Sequence, residues 1–350
     1  MTTQEAPPPP GRVTLDDVAR EAGVSLATAD RVVNRRPGVR DRTVARVEAA
    51  AARLGYRADP AASRLARNRS YRFAFLLPTG ANSFMTELAA QVRRTAEWLA
   101  PQRGFIDLVH VDVFDPAALA AALERVPDGI DGVAAVALDH PRVRAAIDDL
   151  AARGIGVVTL VSDAPSSRRF HYVGIDNPAA GRTAGTLMGR FLASRTGSVG
   201  LVAGSLALRD HAERQFGFHQ VMAAEYPNLT VLPALEGRDD ARRTRALAER
   251  LIAETPDLVG IYNVGAGNRG IAAALEETGR AHDLVWIGHE LTAHSRRYLL
   301  HGLMDAVISQ DPGHEARSAA RVLMAHATGE PILADQERIR IDIFLRDNLP

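Results

Sequence analysis

The sequence predicts a small all-α head followed by a larger α/β body built from two doubly wound parallel-sheet lobes. Three observations carry this expectation. Between Val13 and Leu54 three short helix-like stretches are separated by abrupt breaks. From Tyr71 onward short apolar runs alternate with helical stretches, the rhythm of parallel α/β structure. The two parts also differ in charge.

A chain of 350 residues with 46% hydrophobic content supports one large core with a satellite, or two mid-sized cores. No run approaches the roughly 20 apolar residues of a membrane span, and the opening MTTQEAPPPPGR lacks the charged-then-apolar order of a secretory signal. The expectation is a cytoplasmic protein with no membrane partner. The absence of cysteine removes disulfides, thiolate zinc sites and cysteine nucleophiles together. Residues 1–11, with Pro7 to Pro10, read as a disordered arm.

Formal net charge is zero, but Gly11 to Ser70 carries 13 Arg against 7 Asp and Glu, leaving the body mildly acidic. A small basic head is the electrostatic outline of a nucleic-acid binder; an Arg-rich solvated helix surface is the plainer alternative.

In the head, Thr14 caps LDDVAREA and Gly23 ends that helix. Ser25 caps SLATADRVVN, in which Ala29, Val32 and Val33 can face inward while Leu26, Ala27 and Arg31 point away; Asn34 stops it. A third helix runs from about Asp41 to Gly55. Helix, glycine turn, capped helix, loop and helix make a helix-turn-helix unit over 12–58, with 59–70 as a hinge or linker.

VTLDDVAREAGVSLATADRVVN resembles the DNA-binding signature of the LacI/GalR family, and LGYRADPAASRLAR resembles its third-helix exit and hinge. The resemblance implies that Leu26, Ala27 and Arg31 read base edges, Arg31 by bidentate bonds to guanine. It implies that Thr14, Ser25, Thr28 and Asn34 hold phosphates, and that Leu65 wedges between base pairs in the minor groove. Asp30 departs from the small hydroxyl residue usual there; a surface ion pair, with Arg31 or Arg35 to neutralise it, is the favoured reading.

The body, 71–350, offers strands at 73–78, 106–111, 132–138, 156–162, 198–204, 229–235, 258–264, 284–289 and 305–310. The stretch 171–185 is a crossover between two groups of strands, and a second crossover lies near 309–311. Lobe 1 is then about 71–175 with 310–330, lobe 2 about 176–309, and a terminal strand spans 338–346. Two lobes joined this way resemble the periplasmic sugar-binding-protein fold of the family's sensor.

Ligands of open parallel sheets bind beyond the carboxyl ends of strands, so residues after each run are site candidates. These are Asn82 and Phe84 after the first strand, Asp139 after the third and Asp163 after the fourth. In lobe 2, RQFGF resembles a sugar-binder motif in which Arg214 reaches the ligand. Asn263 ends a strand, Glu290 stands where the family usually has aspartate, with His289 an unusual neighbour, and Gln310 ends the last crossover strand. An aromatic face with amides and carboxylates suits a sugar or polyol. Each residue alone reads equally well as a surface or capping group; their recurrence at strand ends raises the set.

GAGNRG at 265–270 matches a dinucleotide fingerprint and offers a rival, a nicotinamide-dependent dehydrogenase. It sits late in the chain, and its one candidate ribose partner, Glu290, falls about 25 residues on rather than about 20. The histidines at 282, 289, 294, 301 and 314 form no HExxH-like metal motif, and no serine sits in a nucleophile elbow. The expectation is therefore no catalysis and no cofactor. The partners expected are pseudo-palindromic operator DNA, a small effector and a second copy of the chain.

Overall fold

The computed structural model describes residues 13–33, 36–56, 69–80 and 82–350. The chain divides into two compact units, Met1–Arg69 and Ser70–Pro350.

The first unit holds α1 (Leu15–Ala22), α2 (Leu26–Val33) and α3 (Asp41–Leu54). Thr14 closes a capping box: its Oγ1 accepts the Asp17 amide at 3.3 Å while Asp17 Oδ2 accepts the Thr14 amide at 2.9 Å. Ser25 Oγ accepts the Thr28 amide at 3.2 Å at the start of α2. Val18, Ala19, Ala22, Ala29, Val32, Val47 and Ala50 close a small core among the three helices.

The second unit begins with a parallel sheet in the order β2-β1-β3-β4-β5: β1 (Tyr71–Pro78), β2 (Gly104–Val111), β3 (Gly132–Ala135), β4 (Gly156–Leu160) and β5 (His171–Val173). Helices α4 (Ser83–Leu99), α5 (Pro116–Glu124) and α6 (Pro141–Ala152) make its crossovers. β3 and β4 are buried at every position, as a sheet covered on both faces requires.

The chain then passes through α7 (Asn177–Leu192) into a second sheet. It contains β6 (Gly197–Ala203), β7 (Leu229–Val231), β8 (Leu235–Glu236), β9 (Leu258–Asn263), β10 (Val285–His289), β11 (Ala306–Ser309) and β12 (Asp342–Phe344). The order is β12-β11-β10-β9-β6-β7, with β8 also on β6, and only β12 runs antiparallel. Between these strands lie α8 (Arg209–Glu225), α9 (Ala241–Glu254), α10 (Asn268–Glu277) and α11 (Ala293–Leu300). After β11 the chain crosses back: α12 (Pro312–Thr328) packs on β1, β3, β4 and β5 before α13 (Ala334–Glu337) leads to β12.

Three expectations are corrected. The crossover stretch at 171–185 contains a strand, β5, because HYV pairs with Val158–Leu160 before Asp176 caps α7. The run at 229–235 is two strands, since Pro233 has no N–H to continue the ladder after Leu232 bonds Val199. The terminal strand is only Asp342–Phe344; it pairs antiparallel with β11, and a 3₁₀ turn follows at Arg346–Asn348.

Candidate functional site

On α2, Leu26, Ala27 and Arg31 face solvent, Leu26 being 50% exposed, while Ala29 and Val32 hold the inner face. Thr14, Ser25 and Thr28 lie at helix starts, the two hydroxyls of Ser25 and Thr28 2.9 Å apart. Asp30 pairs with Arg36 at 3.2 Å, a partner the sequence did not suggest. Asn34, Arg35 and Leu65 lie outside the described residues.

In the second unit a cavity of about 480 Å³ lies among the loops and helix starts that follow the strands of both sheets. Its lining comes from both lobes: Asn82, Phe84, Phe114 and Ser162 on one side; Asp210, Arg214, Arg238, Asp239 and Glu290 on the other; and Gln310 from the second crossover.

Arg214 is the centre of the lobe 2 wall. α7 and α8 approach so closely that a Cβ at Gly181 would overlap the Arg214 carbonyl, which fixes the start of this side chain. Arg214 is 2% exposed; its Nε donates to Asn177 Oδ1 at 2.8 Å and Nη1 to the Val264 carbonyl at 2.9 Å. Nη2 has no hydrogen-bond partner and stands 3.8 Å from Glu290 Oε1.

Glu290 adopts a left-handed backbone, φ 67°, at the end of β10. For a non-glycine residue this is strain of the kind concentrated at ligand sites. Gln310 holds its carboxylate, Nε2 donating to Oε1 at 2.9 Å. Burial raises the Glu290 carboxyl above its ordinary value, against the pull of Arg214 and Gln310. His289 Nε2 beside it is hydrogen-bonded to the Tyr262 hydroxyl at 2.8 Å, and burial, with Arg214 and His211, lowers the imidazole well below its ordinary value.

Two contacts tie the lobes across the cavity mouth. Asn82 caps α4 with Oδ1, and its Nδ2 donates to Asp239 Oδ2 at 3.0 Å. The Arg238 guanidinium lies 5.8 Å from the Phe114 ring centre. Arg238 and Asp239 are consecutive left-handed residues, φ 52° and 56°. Asp239 Oδ1 also accepts the Ala266 amide at 3.0 Å.

Of the residues expected at the site, Asn82, Phe84, Arg214, Glu290 and Gln310 come together around the cavity. Asp139, Asp163 and Asn263 do not line it. Asp139 accepts from Arg144 at 2.6 Å and lies 3.3 Å from Arg209, bridging the lobes. Asp163 takes a two-pronged contact from Arg169 and a bond from Thr159 Oγ1, which brace its loop. Asn263 is fully buried and spends its amide on Ala266 and Asn268. Each ends or follows a strand, but its side chain turns to protein partners rather than to the cavity.

Asp210, His211, Ser162 and Phe114 were missed. For Asp210 a signal existed: it sits four residues before Arg214 and therefore on the same helix face. GAGNRG forms the turn from β9 into α10, where a Cβ at Gly270 would overlap the Ala241 carbonyl; the glycine serves the packing of α9 on α10.

Residues 73–331 match the family model of the periplasmic binding protein domain, and residues 14–59 match bacterial regulatory proteins, lacI family. The chain belongs to the periplasmic binding protein domain family over most of its length and carries a lacI-family helix-turn-helix domain ahead of it.

Among relatives, catabolite control protein A of Priestia megaterium is 42% identical over 84 residues, 24% of this chain and 25% of that protein. The ribose operon repressor of Escherichia coli is 37% identical over 82 residues, 23% of this chain and 25% of that protein. The chain thus matches about a quarter of these curated relatives. A solute-binding protein from Burkholderia graminis, solved with D-arabinose, has a TM-score of 0.74 at 22% identity, covering 80% of this chain and 96% of that one. A LacI regulator structure from Bacteroides fragilis, described as putative, has a TM-score of 0.69 at 20% identity, covering 80% and 98%. These structural likenesses show the fold.

Proposed function

We propose that this protein is a sequence-specific DNA-binding transcriptional repressor whose operator affinity is set by a sugar or polyol bound between the two lobes. The observation that carries this reading is the cavity itself. Both lobes line it, and buried polar atoms face it without partners in the chain, Arg214 Nη2 and Gln310 Oε1 among them. Such atoms are costly unless a ligand satisfies them. The structural neighbour solved with D-arabinose supports the sugar class.

A ligand touching both lobes favours one relative orientation of them, and operator affinity changes only to the extent that it distinguishes the two states. The exposed face of α2 supplies the base-reading side chains. One such head covers half a site, so the working form is a homodimer on a pseudo-palindrome in the cytoplasm. The edge strand β2 exposes Phe105 and Val109, and α4 exposes Trp98, apolar surface suited to a second copy. No helix among the described residues is long and apolar enough to cross a membrane. No catalysis is assigned, since packing accounts for a glycine of GAGNRG without a nucleotide.

The test is a thermal-shift screen of sugars, polyols and nicotinamide cofactors, followed by operator-binding anisotropy with each hit. A sugar that raises the melting temperature and changes operator affinity is the expected result. Stabilisation by a nicotinamide cofactor alone overturns the reading. In the same assay Leu65→Ala weakens operator binding and bending while leaving effector affinity intact.

A further inference from the structure

Three helix starts of lobe 2 meet at the cavity, and each carries the wrong charge for a helix start. α9, α10 and α11 begin at Ala241, Asn268 and Ala293, and residues around each of these positions line the cavity. The second residue of each helix is basic, Arg242, Arg269 and His294, and no acid stands in any of the three first turns. A cation at the positive end of a helix opposes the macrodipole and weakens the fold that carries it. Arg242 and Arg269 are exposed and have no carboxylate partner among the described residues. Arg238, from the turn before α9, lines the cavity with them and lies against the Phe114 ring.

α10 adds backbone donors. Its N-cap is Gly267, at φ 98°, which has no side chain to accept the Asn268 and Arg269 amides that a helix leaves unpaired at its start. α9 and α11 fill that role with Asp240 and Thr292. Gly265, Ala266 and Gly267 line the cavity too, so the GAGNRG turn places nearly bare backbone against it. Two buried atoms without partners belong to the same lining: His289 Nδ1 and Arg214 Nη2, in residues 1% and 2% exposed. His289 adjoins this helix start, its carbonyl accepting Asn268 Nδ2 at 3.1 Å.

The acids of the wall are already engaged. Asp210 and Glu290 act by charge on Arg214, Asp239 accepts from Asn82 and from the Ala266 amide, and Asp240 caps α9 through the Arg243 amide. What stays uncompensated at the starts of α9 and α10 is positive charge and amide donors. A hydroxyl gives them an acceptor without charge, whereas a phosphate or carboxylate gives both.

We propose that the turn 265–269, with Arg242 and Arg269, is an anion subsite, and that the effector is a sugar or polyol bearing a phosphate or carboxylate group seated there. This rests on the sensor reading above and adds to it the acidic group and the residues that hold it.

The test is calorimetry on the full chain. Glucose, galactose and ribose are each compared with their phosphate and with their sugar acid, so that the two kinds of anion are read separately. At least one anionic derivative binds about tenfold or more tightly than its parent, and this preference shrinks as salt is raised. In the double variant Arg242→Gln with Arg269→Gln the preference falls to about threefold or less, while the parent's affinity stays within about twofold. The melting temperature of the ligand-free double variant does not fall, because two cations have left helix starts; arginines with a merely structural role would lower it on replacement. A preference that survives in the double variant, or parents that bind as tightly as all their anionic derivatives, overturns the subsite and leaves the sensor reading standing. Binding by no member of the panel overturns the sensor reading, and the subsite with it.

Discussion

Asn177 joins Arg214 to Tyr172: its Oδ1 accepts Arg214 Nε at 2.8 Å and its Nδ2 donates to the Tyr172 hydroxyl at 3.1 Å. That hydroxyl lies 3.0 Å from the Val161 carbonyl, so a hydrogen-bonded chain runs through the first crossover from the lobe 2 wall to the strained end of β4. Burial holds the Tyr172 phenol well above its ordinary value, which keeps it protonated as a donor. Tyr172→Phe should cost about 1–3 kcal/mol, because it strands buried partners rather than removing a pair. Both tryptophans, Trp98 and Trp286, lie in the second unit, so their fluorescence during urea unfolding reads this loss there; an unchanged midpoint refutes the chain's importance.

Glu315, on α12, is fully buried with neither carboxyl oxygen bonded, and burial followed by the nearby Glu290 charge pushes its acid well above the ordinary 4.5. A raised folded value means its contribution is present below 4.5 and is lost as pH rises through the folded value. Glu315→Gln should therefore flatten the decline in stability over the range above pH 4.5, gaining about 1 kcal/mol or more once the buried acid ionises. Melting curves across that range decide it, and a slope equal to the wild type's counts against it.

Asp139 moves in the opposite sense. Burial raises its carboxyl, but hydrogen bonds and charges from Arg144 and Arg209 outweigh that and hold it below the ordinary 3.8. Its contribution is present above 3.8 and is lost as pH falls through the folded value. A double-mutant cycle of Asp139→Asn with Arg209→Gln should give a coupling of about 0.5 kcal/mol at neutral pH, since the pair is partly exposed, and should vanish in strong acid.

Gly181→Ala forces α7 away from α8 and displaces Arg214 with it. The expected loss is about 1–3 kcal/mol of stability together with weaker effector binding. Unaltered effector affinity in a folded variant would show that Arg214 does not depend on this approach.

In the head, Arg31→Ala should lower operator affinity about tenfold or more and relax preference at one base pair, whereas Thr28→Ala should weaken all sequences alike. Anisotropy on a set of single-substituted operators separates the two; equal effects on every sequence from Arg31→Ala would remove it from base reading.

Elements governed by local rules were legible in the sequence. The Thr14 and Ser25 caps follow from side chains beside helix starts, and β1, β3, β4 and β9 follow from apolar runs. β5 was hidden because HYV is short and only half apolar, so tertiary pairing with β4 decides it. The strand-end rule found Glu290 and Gln310, and the RQFGF resemblance found Arg214, but the rule could not tell its own residues from Asp163 and Asn263. Whether a polar side chain at a strand end faces a cavity or turns to Arg169 or Asn268 depends on partners brought together only by the fold. Asp210 escaped because it lies on α8, where the strand-end rule does not look, and ahead of the RQFGF stretch, which begins only at Arg214.

The return of α12 to the first sheet also sets an order of events on the ribosome. Strands β1 to β5 are complete by Val173, yet Leu323 and Met324, which cover Gly132 and Gly104 of that sheet, are made well over a hundred residues later. At ordinary bacterial elongation rates that is a delay on the order of ten seconds. Throughout it the nascent first lobe carries an open apolar face, while nearly all of the second lobe is already available to fold. The first lobe therefore waits for nearly all of the second before its own sheet is covered, and chaperone demand during synthesis should fall on it.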